Sequence, residues 1–329
     1  MIVVRAPLRI PLGGGGTDLP EYYQRFGGFV LTAAIDKYVY MHVNRLKVED
    51  FTRVKYMRTE LVEEARQIEH PLLREGLLHT QAPAGLEISS MADIPGGTGM
   101  GSSGSFIVAL LLALHALKAD HVTTQELAEE ACYVEMVRAQ QPVGKQDQYI
   151  AAFGGMITME INQDGCVTVQ RPRIAADCID ELRNRTLLFF TGVRRDSFDI
   201  LADQERQTAS GSSVVVESLH RARDLGHQIL DALIGQDLDR YGQLLDQHWQ
   251  AKQQRSTSIA NPDISRWYRR ARDVGALGGK LLGAGGGGFL MFYCPGSTKG
   301  AVREALRAEG LRDMPFLFES AGARVVAHL

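Results

Sequence analysis

The sequence predicts two domains that mix strands with helices, and three observations carry that reading. The chain has 329 residues, more than one hydrophobic core usually fills, and 45% of them are apolar, as in a folded protein. Short β-branched runs near the start give way to long stretches of helical periodicity further on. Two glycine-rich loops join elements directly, one opening a helix and one preceding a strand.

Taken in order, MIVVRAPLRI opens as a strand, and LGGGGTDLPEYY reads as a glycine-rich turn between it and the strands FVLTAAI and YVYMHVN. LEISSMADI is a strand that runs into GGTGMGSSGS, residues 96–105. Residues 102–118 are small and apolar almost all round, so a buried helix begins straight out of that loop. TTQE from Thr123 is a capping box for a helix reaching about residue 139. PVGKQDQYIAAFGG then ends that helix and returns to the strand-like ITMEI. Residues 214–235, 237–254 and 262–274 read as amphipathic helices. LLGAGGGGFLMFYC is a second glycine-rich turn ahead of a strand, and a helix near 298–309 with strands near 315–327 closes the chain. The domain change is placed within QRPRIAADCIDE, giving residues 1–175 and 176–329.

Composition removes several functional classes. A net charge of −3 supplies no broad basic field for nucleic acid. The cysteines at 132, 166, 178 and 294 lack CxxC spacing, which fits free thiols in a reducing compartment rather than a disulfide or zinc framework. The longest apolar run, near 106–117, is too short to span a bilayer, so a cytoplasmic protein with small-molecule partners is expected.

What remains is the loop at 96–105. Glycine permits positive φ and close approach of backbone to ligand, and amides at a helix start carry partial positive charge. Together they make a cradle for a phosphate, with hydroxyls of Ser102, Ser103 and Ser105 beside it. A glycine turn with no ligand is the alternative, and string matching does not separate the two. Gly99-Gly101-Gly104 and Gly283-Gly285-Gly288 both satisfy GxGxxG, the dinucleotide fingerprint, without its strand–helix–strand context. No Walker A motif occurs. Two carboxylates suit phosphoryl transfer, which needs a cation at the phosphates and a proton acceptor near the receiving hydroxyl. Glu135 lies at helical spacing from Ala128, Ala131 and Cys132, so it borders the apolar face and needs a partner such as a metal, or else reaches solvent. Asp147 follows Lys145 in a glycine-flanked segment, where that lysine is expected to keep it ionised. A plain loop aspartate is the alternative.

Three stretches, APLRIPLGGGGTDLP at 6–20, DIPGGTGMGSSGSF at 93–106 and GGKLLGAGGGGFLMF at 278–292, with GKQDQYIAAFGG between the last two, resemble the small-molecule kinases that include galactokinase, homoserine kinase, mevalonate kinase and phosphomevalonate kinase. The resemblance covers nearly the whole chain. It implies an α+β fold of two domains, the first with a left-handed βαβ unit and the second ferredoxin-like, with the active site in the cleft between them. The cofactors it implies are ATP and Mg²⁺. Pro95, Gly96, Gly97, Thr98, Gly99, Met100, Gly101, Ser102, Ser103, Gly104 and Ser105 would wrap the ATP phosphates. Ser103 and Glu135 would hold Mg²⁺, Asp147 would face the acceptor hydroxyl as base or electrostatic partner, and Arg9 would neutralise charge near the transferring phosphoryl, with Lys145, from its place beside Asp147, as the third catalytic candidate. Gly14, Gly15, Gly16, Thr17 and Asp18 would meet the sugar, and the third stretch, Gly283 to Gly288, would pack against the nucleotide loop and the acceptor, with Gly285 and Gly286 at the substrate.

GGGGTDLPEYY, GKQDQY and HWQAKQQRSTSIANPDI look most like the branch acting on D-glycero-D-manno-heptose 7-phosphate to give the 1,7-bisphosphate, with the kinase part of fucokinase near it. Gly15 and Gly16 stand where galactokinases carry Glu and His, which leaves room for a longer or phosphorylated sugar. A substrate bearing phosphate needs a second anion site, for which Arg194, Arg195 and Lys37 are the candidates. A kinase for another sugar, a catalytically silent sugar sensor and a nicotinamide-dependent oxidoreductase are the competing readings. No nucleic-acid or membrane partner is expected, and a homodimer is compatible with the sequence.

Overall fold

Strand β1 (Ile2–Gly13) is buried on both faces from Ala6 onward, and that burial organises the molecule around it. The computed structural model describes residues 1–193, 202, 206–208, 212–256 and 259–329. β1 pairs antiparallel with the 18-residue β2 (Gly28–Arg45). The far half of β2 takes β5 (Leu86–Ala92), and its near half takes β6 (Met156–Ile161), which carries β7 (Val167–Gln170). β3 (Thr52–Lys55) runs parallel to β5, with β4 (Thr59–Val62) at the edge. The last strand of the chain, β12 (Arg324–His328), returns to the free side of β1 and completes eight strands.

On one face of this sheet lie α2 (Pro71–His79), α3 (Ser102–Lys118), α4 (Thr124–Cys132) and α5 (Gln146–Phe153), around a core that includes Ile107, Leu110, Leu114 and Tyr149. α3 is buried nearly all round, as its composition predicts. The capping box at Thr123 is present, with its hydroxyl accepting from Glu126 N–H and the Glu126 carboxylate accepting from Thr123 N–H. The helix it starts does reach residue 138, but its last part, Tyr133–Arg138, is wound as a π-helix.

Two segments read from sequence as turns are helical. α1 (Pro20–Phe26) starts with proline, which suits a first helical position because its missing N–H would have no partner there. α5 occupies QDQYIAAF, closed by Gly154 at positive φ.

α6 (Ala176–Arg185) precedes a second, four-stranded sheet, ordered β11 (Arg312–Asp313), β8 (Thr186–Phe190), β10 (Phe289–Tyr293) and β9 (Gly278–Leu281). Around it pack α7 (Ser213–Ile234), α8 (Leu238–Gln253), α9 (Pro262–Asp273) and α10 (Lys299–Ala308). The second face of the large sheet meets this half through Leu8, Ile10 and Phe29 on one side and Ile229, Tyr241 and Met291 on the other, in one continuous apolar core. The four cysteines are free. Among the described residues no helix is long and apolar enough to cross a membrane.

Candidate active site

A cleft of about 1090 Å³ opens where the two halves meet. Its floor is the loop ahead of α3. Gly97, Gly99 and Gly101 all take positive φ, near +75°, which L side chains adopt only with strain. The first turn of α3 contains no acidic residue, and no side chain caps its N-terminus, so its leading amides are open to an anion. Gly96, Gly97, Gly99, Gly101, Ser102, Ser103 and Pro95 line the cleft.

Four other residues assigned to this loop do not line it. Thr98 and Met100 are wholly buried, the Thr98 hydroxyl donating to the Pro95 carbonyl. Ser105 donates to the carbonyls of Pro7 (2.7 Å) and Gly101 (3.1 Å), so its hydroxyl anchors α3 to β1 rather than meeting a ligand. Gly104 is a packing glycine: a Cβ there would stand 2.6 Å from that of Asp147, and its absence lets α5 start against the start of α3.

That contact brings the acidic groups together. Asp147, in the first turn of α5, receives Nε and Nη2 of the buried Arg9, both at 2.7 Å and both on Oδ1. Oδ2 is the carboxylate oxygen beside Gly101. Arg9 also donates from Nη1 to the Gly99 carbonyl at 2.6 Å, tying β1, the loop and α5 into one unit. Arg9, not Lys145, is therefore the cation at Asp147. Lys145 donates to the Gly165 carbonyl and lies over the Tyr23 ring, outside the cleft.

Glu135, on the π-helical turn, is fully buried. One carboxylate oxygen accepts from the Gln148 amide at 2.7 Å, and Oε1 has no hydrogen-bond partner. Burial pushes Glu135 up to about 7, against the pull of the nearby Ser103 hydroxyl and of Gln148, while the charge on Asp147 pushes it further up. Asp18 is also buried, and its carboxylate accepts from the amides of Gly16 and Gln146, each at 3.1 Å. Burial raises it above the usual carboxylate range, with those amides opposing and Asp147 adding to the rise.

Of the stretch from Gly14 to Asp18, Gly15, Gly16 and Asp18 line the cleft. Gly14 and Thr17 do not. The Thr17 hydroxyl donates to the carbonyls of Gly14 and Phe29, both at 2.8 Å, and a Cβ on Gly14 would overlap the Phe29 carbonyl. Lys37 pairs with its neighbour Asp36 at 2.8 Å and is not part of the cleft wall. Gly285 and Gly286 pack against Ile259 instead of the cleft. The packing expected of Gly283 to Gly288 on the loop at 96–105 is present at the two ends of that stretch, where Gly283 presses on Gly99 and Gly288 on Thr98. Arg194 and Arg195 lie outside the described residues.

Two parts of the cleft carry no sequence assignment. One wall is apolar, formed by Val39, Tyr56, Met57, Met91 and Phe106, with His70 stacked on Phe106 at 4.9 Å. The opposite wall presents His248, Lys252, Arg255 and Lys280, all buried. A lysine within the apolar GGKLLG strand, and Lys252 and Arg255 three apart in HWQAKQQR, were the available signals.

An uncapped helix start on a glycine loop, an arginine-fixed carboxylate and a second buried carboxylate beside it are compatible with phosphoryl transfer. Residues 60–155 match the GHMP kinases N terminal domain, and residues 229–311 match the GHMP kinases C terminal family. The chain belongs to the GHMP kinases and has their α+β fold. It is 29% identical, over 98% of both chains, to the D-glycero-alpha-D-manno-heptose 7-phosphate kinase of Campylobacter jejuni subsp. jejuni serotype O:2. It is 26% identical, over 94% of each, to the galactokinase of Pyrococcus furiosus. The solved D-glycero-D-manno-heptose 1-phosphate kinase of Bacteroides thetaiotaomicron superposes with a TM-score of 0.82 at 26% identity over the full length of both chains. The chain is a sugar kinase.

Proposed function

We propose that this sugar kinase transfers the γ-phosphoryl of ATP, with Mg²⁺, to the anomeric hydroxyl of D-glycero-D-manno-heptose 7-phosphate, giving the 1,7-bisphosphate for nucleotide-activated heptose. The observation that carries the transfer step is the Arg9–Asp147 pair lodged against Gly101 and Gly104 at the open start of α3. The phosphorylated heptose is supported by the relatives, two of which are named for heptose phosphates.

The triphosphate lies along residues 96–103, its charge met by the amides of the loop and first helical turn. Asp147 accepts the anomeric proton on Oδ2 as the sugar oxygen bonds to the γ-phosphorus and the bond to the β–γ bridging oxygen breaks, releasing ADP. Arg9 fixes the carboxylate and offsets charge gathering at the transferred group. Asp18 and the bare backbone of Gly15 and Gly16 face the sugar.

Among the described residues no cluster of three or more His, Cys, Asp or Glu could hold a metal ion. A magnesium ion carried by nucleotide phosphates needs only one or two protein oxygens, and the unpartnered Oε1 of Glu135 beside Ser103 fits that demand. When bound, Mg²⁺ neutralises developing phosphate charge. We place the domain division at 175/176, with β12 returning to the first sheet.

A coupled ADP-release assay across heptose 7-phosphate, fucose, galactose, mannose and mevalonate tests the reading. Release with heptose 7-phosphate is expected, and phosphorus NMR of the product should show a new anomeric phosphate. Release only with free hexoses or mevalonate overturns the substrate.

A further inference from the structure

Among the described residues no carboxylate pairs directly with the basic wall of the cleft, although the charge of Asp18 reaches Arg255. His248, Lys252, Arg255 and Lys280 are each at most 8% exposed, and among the described residues none lies within ion-pair distance of a carboxylate. Their hydrogen bonds run mostly to backbone carbonyls. Lys252 Nζ donates to Leu281 (2.9 Å) and Gly283, Arg255 Nη1 to Gly15 (3.0 Å), and Lys280 Nζ to Leu12 (3.2 Å). Arg255 Nε donates to the Ser218 hydroxyl at 3.1 Å. Among the described residues, Arg255 Nη2 and both ring nitrogens of His248 have no partner.

Withdrawing several like charges from water without an anion is costly, and each depresses the protonation of the others. Burial first, and then Arg255 and Arg9, bring Lys252 down to about 7; burial, with Lys252, Arg9 and Arg255 in turn, holds Lys280 well below its ordinary value. A dianion among them would restore the charge balance and satisfy the open donors together.

We propose that His248, Lys252, Arg255 and Lys280 form a second anion seat, and that it holds the phosphate the sugar substrate carries. The seat borders the loop ahead of α3, since Lys252 donates to the Gly283 carbonyl and Gly283 packs on Gly99. Two of its members are anchored on the sugar side, Arg255 to Gly15 and Lys280 to Leu12, flanking the turn that presents Asp18. The seat rests on the phosphorylated-sugar reading above.

The test is calorimetric titration of heptose 7-phosphate, and separately of inorganic phosphate, into protein saturated with Mg²⁺ and a non-hydrolysable ATP analogue. Both should bind the wild type. Arg255→Gln should weaken both by roughly 10- to 100-fold, the loss of charged hydrogen bonds, with Arg255→Lys recovering part. Affinity for the ATP analogue, titrated alone, should stay unchanged, which also shows that the variant is folded. Unaltered phosphate binding in Arg255→Gln, or weakened analogue binding instead, overturns the seat. In steady state, ADP release with heptose 7-phosphate at a KM that Arg255→Gln leaves unchanged overturns the seat alone. Absence of release from wild type with that sugar overturns the substrate reading beneath it.

Discussion

Asp147 and Glu135 sit beside the same helix start, yet their surroundings differ, and the roles proposed for them differ accordingly. Asp147 is part-exposed and held by Arg9 at 2.7 Å, as a proton acceptor facing substrate requires. Asp147→Asn is expected to lower kcat by roughly 10²–10⁴ and leave ATP-analogue affinity nearly intact; full turnover by that variant contradicts the role. Glu135 is sealed in, with one oxygen unpartnered. Its ordinary value of 4.5 is raised to about 7, so its proton contributes stability that is complete below about pH 4.5 and lost as pH rises through about 7. In metal-free protein at pH 8, Glu135→Gln should therefore be more stable than wild type by on the order of 3 kcal/mol, and the gap should close near pH 5. Thermal melts in chelator at both pH values check this, and a gap independent of pH contradicts it. Glu135 was legible because small apolar residues flank it at helical spacing. Lys145 was misread because closeness in sequence is not closeness in space: in a helical first turn, residues two apart point to different sides.

At the scale of elements, the loop proposed to cradle the nucleotide is built by backbone against backbone. Gly99 and Gly283 approach so closely that a Cβ on Gly283 would stand 2.4 Å from the Gly99 Cα, and Gly283 takes positive φ. Gly283→Ala should strain the loop by about 1–3 kcal/mol and weaken ATP binding about tenfold or more. An unchanged KM for ATP contradicts the coupling of the two loops. The glycine content of both loops was plain in sequence, and so was the helix that begins at Ser102. What was hidden was α5, because Gly144 and Gly154 at its borders read as loop. Gly144 is required by contact rather than by turning: a Cβ there would fall 2.1 Å from Oδ2 of Asp18. The π-helical turn that carries Glu135 has no signature in the periodicity that revealed its helix.

For the molecule as a whole, the two sheets share one core, so they should unfold together. Ile229 of α7 lies in that shared core, fully buried, near Gly13 of β1. Ile229→Ala should cost about 2–5 kcal/mol and lower a single melting transition; two separate transitions by calorimetry contradict the shared core. That the chain forms more than one unit was legible from its length. The return of β12 to β1 was not, because strand pairing between chain ends leaves no local pattern. The basic residues at 248–255 and 280 were invisible as a site for the same reason, since only the tertiary fold brings them into one cleft. The measurement that tests the account most directly is a crystal structure with Mg²⁺ and a non-hydrolysable ATP analogue. The account predicts the triphosphate along residues 96–103, with the metal between Ser103 and Glu135 and Asp147 facing the sugar side. A triphosphate seated elsewhere in the cleft, with that loop bare, contradicts it.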